Sequence, residues 1–327
     1  MSKKSNSASY QSKRRKDRDM KRLIAAVIAA LIAVVLTVGE FSGGDMPSWS
    51  AMFSASNTEE DGGSTSLIGD AHVEVHAIDV GQGDCTLIRC GEQNILIDAG
   101  DNGRGEDVLS YLSDIGVERL DMVIATHPHA DHIGGLDEVI SEMDVGGIIM
   151  PLIPDSQVPT GVTYSDFLDA IADKKLKAKK AEAGDVYEFD GVEMTILSPE
   201  KGETFGDLND YSVAVVFRYL DFSFFTAGDI TTKVEKNLLD RIEPFTVDLY
   251  KASHHGGAAS NYGSFVRMLS PKYAYVQSGR DNSYGHPHEE VVDLFDKLKI
   301  KMCRNDTDGT IVYRTDGDEM EYEKKGA

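Results

Sequence analysis

The sequence predicts an α/β domain preceded by a single N-terminal transmembrane helix. Three observations lead to this prediction. An uncharged apolar run lies near the N-terminus, short apolar runs alternate with helical patterns from residue 72 onward, and most of the nine histidines fall in three short clusters. The first pattern is typical of a membrane span, the second of a domain that mixes sheets with helices, and the third of a metal site.

The predicted transmembrane anchor spans residues 23–39, LIAAVIAALIAVVLTVG, which carry no charge. A helix of this length reaches roughly 25 Å, near the lower end of what crosses a bilayer. Residues 1–22 carry nine lysines and arginines against two aspartates. They are therefore predicted to stay in the cytoplasm as a basic tail and to place the C-terminal domain outside the cell membrane. The alternative is a secreted domain released by signal cleavage, although no clear A-x-A site follows the run.

Composition distinguishes the rest of the chain from this tail. The 327 residues contain 33 Lys and Arg against 55 Asp and Glu, a formal net charge of −22, and 41% of them are hydrophobic. Such an acidic balance argues against a stable nucleic-acid coat, and the apolar content suits a packed core. Residues 40–71 are rich in Ser and Gly and predict a flexible linker. Cys85, Cys90 and Cys303 lack CxxC spacing, so they are predicted to be buried apolar side chains.

The predicted domain, residues 72–327, opens with a β-meander. Its three apolar runs are bounded by GQGD and GEQ turns and cover residues 73–80, 85–90 and 94–100.

Helices and further strands follow this meander. A helix is predicted at 105–115 and a strand at 122–126, and apolar residues at helical spacing predict that a second helix starts just past His132. The later strands are predicted at about 192–197, 212–218, 222–227, 246–252 and 272–278. A helix near 287–298 and a hairpin about Asp316 and Gly317 complete the domain.

The first histidine cluster reads THPHADH over residues 126–132, between a predicted strand and a predicted helix. His127 and His129 stand two residues apart and can converge on one cation. The adjacent Asp131 and His132 project towards a second position a few Å away. So many ligand-type side chains would repel one another or stay unsatisfied without a metal. The HxHxDH motif therefore predicts a metal site with two positions.

Three later segments add candidate ligands, each after a strand or before a helix. Asp229 follows the apolar run FSFFTA, where one carboxylate can bridge two metals. Of the adjacent His254 and His255, one can complete the second metal's ligand shell and the other can support it or donate a proton, and spacing does not decide which. His286 is predicted to face the site. His288 fits equally well as a surface residue at the start of the last helix.

These motifs resemble the metallo-β-lactamase fold, in the branch found at the C-terminus of ComEC-type competence proteins. The resemblance covers about residues 72–323 and implies an αββα sandwich with two metals at one edge of the sheets. The matching segments, in order, are IDVGQGD (78–84), LIDAG (96–100), THPHADHIGG (126–135), NDYS (209–212), AGD (227–229), KASHHGG (251–257) and SGRDNSYGHPH (278–288).

The resemblance also implies how the ligands divide between the two metals. The first metal would be bound by His127 and His129, and the second by Asp131 and His132. Asp229 would bridge the two metals, and His254 or His255 would close the second shell.

Other matching residues would support these ligands. Asp98 would orient the histidine loop through hydrogen bonds, Asp79 and Asp84 would buttress it, and Lys251 belongs to the matching KASHHGG segment. The chain departs from the usual pattern in one respect, because no histidine lies between His132 and Asp229, where a third ligand for the first metal is usual. Asn209 or Asp210 of the NDYS segment would approach that metal instead.

Two divalent metal ions are the cofactors that this ligand set predicts. Several imidazoles favour zinc, whereas added oxygen ligands and an open position admit manganese. Two cations about 3.5–4 Å apart lower the pKa of a water held between them, so the predicted reaction is hydrolysis. The candidate catalytic residues are Asp131, His255 and His286.

The predicted substrate follows from the resemblance, since the ComEC-type branch is similar to nucleases and phosphodiesterases. A phosphodiester or nucleic acid is therefore the favoured substrate. One alternative is a hydrolase of a cell-envelope ester or amide, with a phosphorylcholine-type or lactam-type substrate. A second alternative is a non-catalytic metal-binding or sensor module.

Overall fold

The computed structural model describes residues 71–326. The predicted basic tail and transmembrane anchor, and the linker up to residue 70, lie outside the described residues, and these assignments stay predictions. No helix within residues 71–326 is long and apolar enough to cross a membrane.

The first sheet has eight strands in the order β17-β16-β1-β2-β3-β5-β7-β8. Strand β2 pairs antiparallel with both β1 and β3, which confirms the predicted meander, and β16 and β17 form the predicted hairpin. The strands of this sheet are β1 (Val73–Ala77), β2 (Thr86–Cys90), β3 (Gln93–Ile97), β5 (Met122–Ile124), β7 (Ile148–Met150), β8 (Ala178–Lys180), β16 (Ile311–Thr315) and β17 (Met320–Lys324).

The second sheet has seven strands in the order β15-β14-β13-β12-β11-β10-β9, and its half from β12 to β15 is parallel. Its strands are β9 (Val186–Phe189), β10 (Val192–Ser198), β11 (Ala214–Tyr219), β12 (Phe222–Thr226), β13 (Leu249–Lys251), β14 (Tyr273–Val276) and β15 (Lys301–Arg304). The short strands β4 (Arg119–Leu120) and β6 (Asp144–Val145) pair with each other.

Eight α-helices accompany these sheets in the described residues. They are α1 (Gly105–Asp114), α2 (Ala130–Ile133), α3 (Leu136–Glu142), α4 (Val162–Asp173), α5 (Thr232–Arg241), α6 (Gly263–Leu269), α7 (Glu289–Lys297) and α8 (Asn305–Asp308). The helix predicted just past His132 is α3, whereas the short helix α2, which begins at Ala130 inside the histidine cluster, was not predicted. A main-chain bond from the N–H of His132 to the oxygen of His129 closes this first turn.

The layers follow from three apolar clusters. Side chains such as Val75 and Ile88 of the first sheet meet Phe217 and Phe224 of the second between the two sheets. The outer face of the first sheet packs on helices α1, α3 and α4, and the outer face of the second packs on α5, α6 and α7. This arrangement is the predicted αββα sandwich. The three cysteines are free and buried, as expected.

The sandwich brings the predicted ligands to one edge. Asp98 follows β3 and His127 follows β5, and these two strands are parallel neighbours in the first sheet. Asp229 follows β12 and His254 follows β13, which are parallel neighbours in the second sheet. Since the carboxyl ends of neighbouring parallel strands meet at the same edge, loops from both sheets converge there.

Candidate metal centre

The histidine loop rests on the buried carboxylate of Asp98. Its Oδ1 accepts a hydrogen bond from the Thr126 N–H at 2.8 Å, and its Oδ2 accepts from Thr126 Oγ1 at 2.6 Å and from His132 Nδ1 at 2.8 Å. Because Nδ1 donates this bond, the proton that His132 loses on binding a metal comes from Nε2, and the neutral ring is then the tautomer that binds the metal. These hydrogen bonds fit the orienting role that the resemblance implied for Asp98.

His127 and His129 turn their ring nitrogens towards each other. His127 Nε2 lies 3.1 Å from His129 Nδ1, while His127 Nδ1 donates to Thr126 Oγ1 at 3.1 Å. Burial, and next the charge of His132, hold the pKa of His127 well below its usual range, so the ring is neutral, as a ligand must be. Two ring nitrogens at this separation fit one divalent cation.

A second group of ligand atoms adjoins this pair. One ligand atom from each of Asp84, His132, Asp229 and His255 lies within 4.8 Å of the others, and all four residues are buried. The carboxylate Oδ2 of Asp229 lies 3.3 Å from His132 Nε2 and 3.4 Å from His255 Nε2. Asp131 Oδ2 lies 3.2 Å from the same nitrogen of His255.

Hydrogen bonding shows that this group fits a cation. His132 Nε2, His255 Nε2 and Asp229 Oδ1 are buried without a hydrogen-bond partner within the described residues. A buried polar atom without a partner is costly, and a divalent cation would satisfy all three together. Although burial acts in the opposite direction, the charges of Asp229 and Asp84 raise the pKa of His132 and of His255 well above the usual range. Metal binding would displace these protons.

The spacing of His254 and His255 left open which of them binds the metal, and the structure distinguishes the two. Nδ1 of His255 donates to the main-chain oxygen of Gln277 at 2.9 Å, and its Nε2 points into the ligand group. His254 is a quarter exposed and approaches Asp229 Oδ2 at 3.6 Å. Both residues adopt left-handed backbone angles, with φ of 52° and 53°. This strained turn aims one ring inward and leaves the other at the rim.

Asp84 does more than support the histidine loop, because its carboxylate belongs to the group of ligand atoms. Its carboxylate contacts the ammonium group of Lys251, and both side chains are almost completely buried. Oδ1 of Asp84 also lies 3.1 Å from His255 Nδ1. Burial alone would raise the pKa of Asp84, but the charges of Lys251, His255 and His132 outweigh it and lower that pKa. Asp84 is therefore an ionised member of the ligand group, with Lys251 as its counter-ion.

The turn before Asp84 packs directly on the histidine loop. The Asp84 N–H donates to the main-chain oxygen of Asp131 at 3.0 Å. A Cβ on Gly83 would collide with that same oxygen, so only glycine allows this close approach. The expectation that Asp79 also buttresses the loop is wrong. Asp79 is exposed, and its carboxylate accepts from the Gly81 N–H at 3.0 Å, which shapes the turn itself.

The NDYS segment supports Asp229 from behind. The Asp229 N–H donates to Ser212 Oγ at 3.0 Å, and Ser212 Oγ donates to the main-chain oxygen of Asn209 at 2.7 Å. Asp210 accepts from the N–H and Oγ1 of Thr231, at 3.2 and 2.7 Å, and so holds the start of α5 in place of the implied metal contact. The side-chain oxygen of Asn209 is buried without a hydrogen-bond partner, so its approach to the first metal stays a prediction.

The two histidines before α7 occupy different positions. The ring of His286 stacks on His255 with centroids 5.9 Å apart, and its Nδ1 is buried without a hydrogen-bond partner. Burial, and next the charges of His255 and His254, lower the pKa of His286 to about 4. His288 accepts from the Ala258 N–H at 2.9 Å and donates to an oxygen of the preceding loop, so it anchors the start of the helix.

Three supporting residues were not singled out in the sequence. Thr126 lies inside the THPHADHIGG motif and Ser212 inside the NDYS motif. Gln277 comes one residue before the SGRDNSYGHPH motif. Gln277 also donates through Nε2 to the main-chain oxygens of Ile78 and Cys85, at 3.1 and 2.7 Å. Thr126 and Gln277 each come shortly after a strand that runs into a ligand loop, and that placement is the signal that could have identified them.

Comparison with known proteins agrees with this site. The sequence model of the metallo-beta-lactamase superfamily matches residues 78–280. ComE operon protein 3 of Bacillus subtilis is 28% identical over 259 residues, which cover 74% of this chain and 33% of the relative. Competence protein ComA of Neisseria gonorrhoeae is 26% identical over 242 residues, covering 72% and 31%. The chain thus spans about a third of the length of these relatives.

Solved structures share the fold. CmlA, a diiron beta-hydroxylase from Streptomyces venezuelae, aligns with a TM-score of 0.50 at 18% identity, covering 75% of this chain and 55% of that one. At this identity the similarity shows the fold alone. The superfamily match, the similarity to ComEC-type competence proteins and the buried Asp and His group lead to one conclusion. The chain belongs to the metallo-β-lactamase superfamily and is a metal-dependent hydrolase with a site for a divalent metal.

Proposed function

We propose that the protein is a membrane-anchored, extracytoplasmic phosphodiesterase or nuclease that uses two divalent metal ions. One observation carries the proposal: two adjoining sets of ligand atoms meet at one edge of the sandwich. His127 and His129 form the first set, and Asp84, Asp229 and His255 belong to the second. His132 joins the sets, because its ring lies 4.2 Å from that of His127 and its Nε2 lies 3.3 Å from Asp229.

The ligand chemistry bears on the metal. Four imidazoles favour zinc, and the carboxylates of Asp84, Asp131 and Asp229 admit manganese. When bound, a pair of divalent cations supplies charge neutralisation at a phosphoryl group and acidifies a water molecule.

The residues around the ligands are suited to a phosphodiester. Burial is the largest single effect on the pKa of Asp131 and acts upwards, but the contact with His255 and the charges of His132 and His255 together outweigh it and lower that pKa, so this carboxylate is ionised. Burial lowers the pKa of His254 and of His286, so both rings are neutral near pH 7. Neutral imidazoles at the rim can donate hydrogen bonds to phosphoryl oxygens or hold a proton for the leaving group.

Sequence similarity and charge support the proposed substrate class and cellular location. The similarity to ComEC-type competence proteins favours a phosphodiester, and the apolar run at 23–39 after a basic tail favours an anchor with the domain outside. The net charge of −22 favours the second candidate, a hydrolase of a small or uncharged cell-envelope ester. An acidic protein attracts a nucleic acid only where bound metal offsets its charge.

Activity measurements test the reaction. The full-length protein should release nitrophenol from bis(p-nitrophenyl) phosphate and shorten single-stranded DNA, and chelation followed by zinc or manganese should abolish and restore both activities. Asp131→Ala should lose more than the roughly 10- to 100-fold that the loss of an outer-shell partner costs. Asp169→Ala, an exposed aspartate on α4, is the matched control. Equal activity of Asp131→Ala and wild type would refute the proposal, and turnover of a wall ester alone would favour the second candidate.

Accessibility measurements test the location. Protease added outside intact spheroplasts should digest the metal-binding domain and leave a cytoplasmic marker protein whole. A domain that is protected until the membrane is lysed would contradict the extracytoplasmic placement.

A further inference from the structure

We propose that Tyr284 is a stacking platform for an unpaired nucleobase next to the scissile phosphodiester. This inference rests on the proposed phosphodiesterase function and deepens it, because it names single-stranded nucleic acid as the substrate class. It assigns a binding role to a residue outside the ligand groups and the candidate catalytic residues.

Exposure is the first observation. Tyr284 is 63% exposed, and it is the only aromatic among the large apolar residues that are exposed in residues 71–326. Other exposed apolar side chains, such as Val162 and Val186, are aliphatic. An aromatic ring left in water at the edge of a site offers a large contact area that a ligand can cover.

Ring geometry is the second observation. The Tyr284 ring lies 5.7 Å from that of His286 at an interplanar angle of 19°, and His286 lies 5.9 Å from His255 at 29°. The Nε2 atom of His255 faces Asp131 at 3.2 Å. A column of nearly parallel rings therefore leads from solvent to the ligand group. Because one face of Tyr284 is turned towards His286, the exposed surface includes the opposite face.

The backbone that carries the ring is held in place. Asn282 accepts from the His286 N–H at 2.9 Å and donates through Nδ2 to the oxygens of His286 and Gly279, at 2.7 and 3.0 Å. The Nε2 atom of His288 donates to the main-chain oxygen of Tyr284 at 3.1 Å. The position of the ring is thus prepared before binding, which lowers the entropic cost of stacking.

The exposed ring at the outer end of the column indicates which kind of nucleobase can bind there. A base within a duplex has both faces covered by its neighbours, whereas an unpaired base has a face free to stack on a tyrosine. Base stacking on an aromatic ring tolerates every base, so Tyr284 should contribute affinity without sequence preference. Loss of such a contact weakens binding by about 5- to 150-fold per base.

The test compares substrates with and without bases, using the full-length protein loaded with metal. The substrates are a fluorescent oligo-dT, the same oligomer with tetrahydrofuran abasic residues in place of every base, and methyl p-nitrophenyl phosphate. We expect Tyr284→Ala to raise KM for oligo-dT by about 5- to 150-fold and to leave the other two substrates nearly unchanged. Tyr284→Trp and Tyr284→Phe should retain the affinity for oligo-dT.

Val186→Ala is the matched control, because it removes an exposed apolar side chain from β9, which lies three strands away from β12. It should leave all three substrates unchanged. If Tyr284→Ala impairs base-bearing and abasic oligomers equally, the ring only supports His286 and the proposal is overturned.

Two other outcomes also overturn it. In the first, a soluble wall glycan inhibits turnover of methyl p-nitrophenyl phosphate, oligo-dT does not, and Tyr284→Ala abolishes the inhibition by the glycan. That result would assign the ring to binding a sugar. A wild-type protein that turns over the small diester without preferring oligo-dT to its abasic form would overturn the stacking role alone. Failure of the wild type on every phosphodiester would overturn the proposed function as well.

Discussion

Replacement of Lys251 by methionine should strongly destabilise the metal-free protein. The ammonium group contacts Asp84, and the side chains of Lys251 and Asp84 are only 2% and 4% exposed. Methionine fills a similar volume but removes the ammonium group, the largest favourable charge on the buried Asp84 carboxylate, and leaves only the rings of His255 and His132 beside it. Removing one partner of a buried ion pair costs about 3–5 kcal/mol. In a domain of this size, that cost lowers the Tm by roughly 6–20 °C.

Thermal unfolding followed by near-ultraviolet circular dichroism measures this shift. Lys272→Met is the matched control, since Lys272 binds Asp248 at 2.8 Å but is 72% exposed. An exposed pair contributes about 0–1 kcal/mol, so this control should barely move the Tm. If the two variants unfold at the same temperature, the reasoning about the buried pair is refuted.

Metal should partly rescue the Lys251→Met variant. A divalent cation placed among Asp84, His132, Asp229 and His255 would offset the charge that Lys251 no longer balances. Added zinc should therefore raise the Tm of the variant by more than it raises the Tm of wild type. An equal rise in both proteins would contradict the assignment of Asp84 to the ligand group.

Three other positions give separate expectations, the last with a glycine control. Asp98→Asn removes the carboxylate that binds His132, and zinc affinity, measured by competition with a chromophoric chelator, should fall about 10- to 100-fold. Burial raises the pKa of Glu235 from its ordinary value of 4.5 to about 7, so the folded protein retains a proton that the unfolded chain releases. The free energy of unfolding in urea should therefore fall by about 3 kcal/mol as pH rises from about 4.5 to 7, and Glu235→Gln should flatten that decline. Gly83→Ala should abolish metal binding because its Cβ would collide with the histidine loop, whereas Gly103→Ala, with no atom near its Cβ, should cost about 1–3 kcal/mol of backbone strain.

Each expectation has an outcome that contradicts it. Unchanged zinc affinity in Asp98→Asn would show that its hydrogen bonds do not orient the ligand. A Glu235→Gln variant with the same pH dependence as wild type would assign the decline to other groups. Normal metal binding by Gly83→Ala would mean that the turn can move away from the histidine loop.

Much of the fold could be predicted because its signals are local. Alternating apolar runs and turn residues predicted the meander and the terminal hairpin, and the spacing of histidines predicted a metal site. Between residues 144 and 191 no element was predicted, yet this region forms β6, β7, α4, β8 and β9. The strands there have two to four residues, too few for a clear period, and β8 is the exposed edge of its sheet.

The sequence by itself determined which kinds of ligand the chain offers and that they follow the ends of strands. Only the tertiary structure decided which atoms meet. In the folded chain His255 points into the ligand group, whereas His254 lies at the rim. Asp84 contacts Lys251, and Asp210 accepts a hydrogen bond from Thr231. Asp210 and Thr231 belong to different segments of the chain, and Asp84 follows a strand of the first sheet whereas Lys251 ends a strand of the second. Spacing along the chain reports side chains on the same element, whereas a buried site is completed by packing between elements distant in sequence.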